Sequence, residues 1–191
     1  MNELSSSSIN LGDVGGVYTW PMPVFSDLRG RLFKAYVAEN KGSFPVVFST
    51  YEHFFTESKK NVFRGMHFQM EPHAVAKVIS LVRGKALVFL LDAREDSPTY
   101  RFVQRESFSQ NAPISIYIPV GVALGYLILE DETTISYRMD GAFCGSCDAG
   151  ISPDVISAFL PIPLAETIRS ERDLFLQPFF ASRIVSACAK K

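Results

Sequence analysis

The stretch AKVISLVRGKALVFLLD, residues 76–92, decides the fold. Two apolar runs rich in Val, Ile, Leu and Phe flank the dipeptide Arg83-Gly84. Ala76 to Val82 has the length and the branched residues of a strand, Arg83-Gly84 reads as a turn, and Lys85 to Asp92 reads as a second strand. The same rhythm continues on both sides. Downstream, Asp96-Ser97-Pro98 turns, Tyr100 to Phe108 alternates, and Gln110-Asn111-Ala112-Pro113 breaks the pattern. Ile114 to Ile118 follows, then the Pro119-Val120-Gly121 turn, then Tyr126 to Leu129 and Thr133 to Met139 as a pair around Glu130-Asp131-Glu132. Upstream, Val17 to Trp20, Leu32 to Val37 and Val46 to Tyr51 are further strands, the second preceded by the turn Asp27-Leu28-Arg29-Gly30. Short strands at roughly 8–12 residue spacing predict an all-β sandwich or barrel. Helical patterning is confined to the end: a turn or two over Pro163 to Ile168, and a short amphipathic tail over residues 182–191. Segment 140–160, rich in Gly, Ser and Cys, reads as a loop.

The chain has 191 residues, 47% apolar and 20% charged, with a net charge of −1. That length fits one domain, 1–191, able to bury a core without disulfides or a structural metal. Near-neutrality lacks the electrostatic footprint of a nucleic-acid binder. No apolar run approaches the ~20 residues of a membrane helix. The polar start MNELSSSSINLGD lacks the basic and apolar segments of a secretory signal, and residues 1–14 read as a flexible leader. Three cysteines, Cys144, Cys147 and Cys188, suit a reducing compartment better than a disulfide framework, so a cytoplasmic location is expected.

Only three histidines occur: His53, His67 and His73. His67 lies in Arg64-Gly65-Met66-His67-Phe68-Gln69, ahead of the strand that carries Lys77. His67, Glu71 and His73 resemble half of a metal-binding double-stranded β-helix site. The further histidine such a site needs, after Pro119-Val120-Gly121, is replaced by Leu124, which cannot ligate, so no metal is expected. Cys144-Gly145-Ser146-Cys147 has no second cysteine pair for a four-ligand zinc site and no βαβ setting for a redox pair, which leaves two incidental cysteines on a surface loop. P-loop, Gly-x-Gly-x-x-Gly and Gly-x-Ser-x-Gly motifs are absent.

The runs RGMHFQMEPHAVAKVISLVRG, LLDAREDSPTY, IPVGVALGYLIL, ISYRMD and SERD together resemble the dTDP-4-dehydrorhamnose 3,5-epimerase family over residues 17–178. The resemblance implies a cupin-type antiparallel jelly roll, a homodimer, and no metal or redox cofactor. It further implies His67 as general base, Asp173 of Ser170-Glu171-Arg172-Asp173 as its carboxylate partner, Lys77 as a catalytic lysine and Tyr137 as the acid. Arg29, reaching the partner subunit's site, Arg64 and Gln69 would bind substrate, a nucleotide-diphospho-sugar. Such residues suit the chemistry. Hydrogens beside a ketone are acidic, and an imidazole titrates near working pH. A carboxylate behind it fixes its tautomer. A cation at the ketone oxygen stabilises the enolate, and guanidinium groups suit a diphosphate. Taken singly, each residue has a plainer reading. His67 could be a hydrogen-bonded histidine in a barrel mouth, Asp173 a surface acid, Tyr137 core, Lys77 solvent-facing, and Arg29-Gly30 only a turn.

The sequence also departs from the family pattern. Leu124 stands where the family has His, Lys34 where it has Glu, Phe143 where it has Tyr, and Ile151-Ser152-Pro153-Asp154 replaces a Trp-Asn-Asp-Pro stretch. These changes fall on the pocket rim, so proton transfer is expected to be kept while ligand specificity has moved. The expected function is an isomerase inverting C3, or C3 and C5, of a nucleotide-linked 4-keto-6-deoxy sugar. The alternative is a non-catalytic sugar-nucleotide-binding protein on the same scaffold.

Overall fold

Period-two alternation builds nearly the whole molecule. The computed structural model describes residues 9–35 and 48–179. In chain order the strands are β1 (Asn10–Leu11), β2 (Tyr18–Pro21), β3 (Val24–Asp27), β4 (Gly30–Phe33), β5 (Glu52–Ser58), β6 (Phe63–Gln69), β7 (Lys77–Arg83), β8 (Lys85–Asp92), β9 (Phe102–Ser109), β10 (Ile114–Ile118), β11 (Val122–Ile128), β12 (Thr133–Met139) and β13 (Asp148–Gly150). Two 3₁₀ turns, Pro153–Phe159 and Leu164–Glu166, and a one-turn helix α1 (Glu171–Leu174) follow. A six-stranded sheet runs β1-β9-β8-β11-β6-β13 and a five-stranded sheet runs β2-β10-β7-β12-β5. All pairings are antiparallel except β1 with β9. This is the expected all-β, cupin-type jelly roll with short helical segments near the C-terminus.

The two sheets face each other across one core. Ala86, Val88 and Leu90 of β8 pack there with Ile79 and Leu81 of β7, Ile116 of β10 and Ile135 of β12. The alternate residues Phe89 and Leu91 point to the outer face of the six-stranded sheet. There they meet Phe63, Leu127 and the C-terminal residues Ile151, Ile156 and Phe179. Burial on both faces explains why β8 reads as a continuous apolar run. Each fully buried Val, Ile, Leu or Phe side chain among them contributes about 1.5–3 kcal/mol.

Arg83-Gly84 is not a hairpin turn but a corner, because β7 and β8 belong to different sheets. Gly84 has φ +86°, and a Cβ there would overlap Thr133 Oγ1. Thr133 belongs to the matching corner between β11 and β12, so the two strands expected to pair around Glu130-Asp131-Glu132 lie in different sheets as well. The run Asp92-x-Arg94-x-x-Ser97-Pro98-Thr99 is a structural staple. Buried Asp92 accepts hydrogen bonds from Arg94, Ser97 and Thr99. Burial works to raise its pKa, but these donors outweigh it and hold the carboxyl below its ordinary value.

Several expectations need correction. β5 and β6 were not expected, and β6 carries His67. The strand expected from Leu32 ends at Phe33, and Phe48 to Thr50 are not in a strand; residues 36–47, with the rest of those two segments, lie outside the described residues. Segment 140–160 contains β13 and a 3₁₀ turn because it covers apolar sheet surface. The leader reading fails over 9–14: β1 pairs with β9, and Val14 is buried. Residues 1–8 and the tail 182–191 lie outside the described residues. No helix among the described residues is long and apolar enough to cross a membrane.

Candidate active site

His67 points from β6 into a cavity of about 570 Å³ lined by residues of both sheets and of the segment 168–173. Its Nε2 lies 2.7 Å from Asp173 Oδ1. The two residues are 106 positions apart, and local structure at both ends brings them together. Ser170 caps α1 by accepting a hydrogen bond from the Asp173 N–H, which fixes the carboxylate on the first turn. Asp173 Oδ2 accepts from the Gly65 N–H at 3.3 Å. Gly65 must be glycine: its φ is +115°, and a Cβ would overlap the Leu124 carbonyl oxygen on the neighbouring strand.

Asp173 is 3% exposed. Burial pushes its pKa up, but the His67 hydrogen bond and charge, the Gly65 N–H and Arg172 overcome this, so it sits below the ordinary carboxylate value. A carboxylate only accepts, so it holds the proton on Nε2 and leaves Nδ1 of His67 as the basic nitrogen.

Lys77 and Tyr137 line the same cavity from the five-stranded sheet. His67 and Lys77, ten residues apart, therefore sit on strands of opposing sheets rather than on one face of one strand. Burial lowers the Lys77 pKa to about 8, with Asp148 opposing the shift and Arg172 adding to it. Tyr137 stacks on Phe54, its neighbour on β5, with ring centroids 4.9 Å apart. Burial, reinforced by Tyr126, drives the Tyr137 phenol well above its ordinary value, so it is a protonated donor across the neutral range. Tyr126 in turn bonds Thr56 Oγ1 through its hydroxyl.

Of the residues expected to bind substrate, Arg64 lines the cavity and its Nε donates to Ser58 Oγ. Gln69 reaches the cavity wall too, but its amide is engaged with backbone: it donates to His73 O and Ala142 O and accepts from Cys144 N. Arg29 is outside the cavity, on the exposed β3–β4 hairpin, paired with Asp27 at 2.6 Å. The sequence reading missed Arg169, whose buried Nε has no hydrogen-bond partner among the described residues, and Arg172, paired with Asp148. It also missed Phe54 and Tyr126; the alternation of β11 could have placed Tyr126 inward beside Leu124. Leu124 faces His67 directly across β6 and β11. His53 bonds Ser136 and takes no part in lining the cavity.

Among the described residues, His67 and Glu71 belong to no cluster of potential metal ligands. Among the described residues such a cluster of three or more His, Cys, Asp or Glu is formed only by His73, Cys144 and Cys147. Cys147 is fully buried, which corrects its reading as a surface-loop cysteine.

Comparison with known proteins identifies the family to which this fold and sequence are similar. An enzyme from Shigella flexneri named dTDP-4-dehydrorhamnose 3,5-epimerase is 28% identical over 170 residues, covering 87% of this chain and 93% of its own length. A dTDP-4-dehydrorhamnose 3-epimerase from Streptomyces niveus is 28% identical over 116 residues, or 61% of this chain and 56% of its own. The crystal structure of the 3,5-epimerase from Sulfolobus tokodaii superposes with a TM-score of 0.78 at 26% identity, covering 89% of this chain and 93% of that one. The family model described as dTDP-4-dehydrorhamnose 3,5-epimerase matches residues 12–180, and with a histidine–carboxylate pair at the mouth of the barrel the chain belongs to that family.

Proposed function

We propose that His67, backed by Asp173, removes the hydrogen beside a sugar ketone and that Tyr137 returns one to the opposite face. Like its family, the chain is an isomerase, an epimerase of nucleotide-linked 4-keto-6-deoxy sugars. The observation that carries the residue assignment is the 2.7 Å contact between His67 Nε2 and buried Asp173. It leaves Nδ1 to take the C–H proton, and the nearby carboxylate stabilises the imidazolium that forms. The electron pair moves into the enolate. Lys77, charged below about pH 8, offers an ammonium to its oxygen. Tyr137, kept protonated by burial, delivers a proton to carbon as the enolate collapses; its phenolate then recovers a proton from solvent and the His67 imidazolium releases one to solvent, restoring both groups.

Arg64, Arg169 and Arg172 bring guanidinium groups to the cavity, where they suit a diphosphate. Gln69 acts by positioning the rim. Leu124 makes the wall beside the base apolar, so the two centres flanking the ketone are expected to exchange at different rates. Arg29 serves through a homodimer. Phe25, Leu28 and Leu32 on its hairpin are 58%, 107% and 55% exposed, an apolar arm suited to a second copy. A monomer by light scattering at working concentration would count against that part. A pair of cysteines held as thiols, Cys144 and Cys147, fits a reducing, cytoplasmic setting.

The test is solvent-deuterium incorporation at C3 and C5 of a panel of nucleotide-linked 4-keto-6-deoxy sugars, followed by NMR. Incorporation that disappears in His67→Ala is the expected result. Tight binding across the panel with no incorporation by the wild-type protein would instead make this a sugar-nucleotide-binding protein.

A further inference from the structure

We propose that His73, Cys144 and Cys147 form a binding site for one thiolate-preferring metal ion, with zinc as the natural probe, on the rim of the sugar cavity. Their ligand atoms all lie within 4.8 Å of one another. Tetrahedral zinc, with bonds of about 2.3 Å to sulfur and 2.0 Å to nitrogen, places its ligand atoms roughly 3.3–3.8 Å apart. Small side-chain rotations cover that difference. The two thiols come from one loop at the spacing of a zinc knuckle, and the Cys147 N–H donates to the Cys144 carbonyl within that turn. The imidazole comes from a separate segment, the turn between β6 and β7.

The backbone holding these side chains is already fixed. The Gln69 amide, 3% exposed, bonds His73 O, Ala142 O and Cys144 N, and Met70 N–H donates to Cys147 O. Gln69 therefore ties the histidine turn to the cysteine loop before any ion arrives, which lowers the ordering cost of binding. A disulfide would need only the two sulfurs and gives the converging histidine nothing to do. Binding converts both thiols to thiolates and releases their protons to solvent, while neutral His73 donates a lone pair. Three protein ligands leave the fourth position to water. The site is separate from His67 and Asp173 but next to the cavity: Phe143 and Asp148, each adjacent in sequence to one of the cysteines, both line it. A bound ion would clamp that wall.

The experiment uses the full chain, reduced with a non-thiol reductant, titrated with zinc against a chromogenic chelator and separately with cobalt(II). One zinc per chain is expected, with thiolate-to-cobalt charge-transfer absorption and intense tetrahedral d–d bands. His73→Gln and Cys144→Ser should each weaken zinc binding at least about tenfold. His73 is exposed, so its variant tests the site even if a cysteine variant folds poorly. Cys188→Ser and His67→Ala should bind like the wild type. The proposal is overturned by failure of the reduced wild-type chain to take up zinc, by binding indifferent to His73→Gln, or by a Cys144–Cys147 disulfide that persists in the reductant.

Discussion

Replacing Asp173 with Asn should abolish most turnover while leaving the barrel folded. Asp173 is 3% exposed and lies 2.7 Å from His67 Nε2, so the bond is short, shielded and charge-assisted once the imidazole is protonated. Such bonds are worth about 1.5–3 kcal/mol, or roughly 10- to 150-fold in rate if the stabilisation is felt at the imidazolium-like transition state. A second loss adds to this. An Asn amide can present its NH2 to Nε2, driving the ring proton to Nδ1, the nitrogen that must accept the substrate hydrogen. In a serine-protease triad the equivalent Asp→Asn change lowers kcat about 10⁴-fold. Asp173→Asn is therefore expected to lose about 10²–10⁴ in kcat, with KM within a few-fold of wild type. The assay is deuterium wash-in at C3 and C5 under saturating substrate, with circular dichroism to confirm folding. A folded Asp173→Asn enzyme that exchanges within threefold of wild type would refute the reasoning, because His67 would then need no orienting acid.

Lys77 gives a pH signature. Its folded pKa of about 8 lies below the ordinary 10.5, so between those values the unfolded chain binds more protons and wild-type stability should rise with pH. Lys77→Met should flatten that rise and melt higher than wild type at pH 7, the buried charge costing up to about 3 kcal/mol. It should also lose turnover, and wild-type kcat should fall as pH passes about 8. Tyr137→Phe should still wash deuterium into substrate but form far less inverted product, since abstraction survives without its acid; NMR of both readouts separates the two steps. Gly65→Ala should lower stability by about 2–4 kcal/mol, from backbone strain and overlap with Leu124, and melt about 5–15 °C lower.

Strands that read as uninterrupted apolar or alternating runs were legible in the chain alone, but β11 starts at Val122 rather than at the expected Tyr126, because Gly121 and Gly125 mask its first half. The bounds of β8, β10 and β12 coincide with the apolar runs that predict them. β5, with the run EHFFTES, was missed because it is an edge strand whose exposed face still carries phenylalanine, which erases the polar–apolar contrast. β6 was missed because Gly65 and the polar site residues interrupt its pattern for reasons of chemistry rather than packing. The two corners were misread because a turn signal looks the same whether the next strand pairs with the last or crosses to the other sheet. Of the site residues, His67, Lys77, Tyr137 and Asp173 were nameable through family motifs. No local pattern could place Asp173 against His67, and Arg169 carried no signal, lying in an irregular segment without periodicity.

The acid behind the base arrives on a one-turn helix in the segment that also seals the outer face of the larger sheet through Ile151, Ile156 and Phe179. Chemistry and closure are thus fastened to one strip of chain. If that strip peels away, the two sheets can remain sandwiched on their own inner core while the imidazole loses its orientation. Inactivation by heat or mild denaturant should then precede melting of the sheets, making catalysis the first property surrendered by a partly frayed molecule.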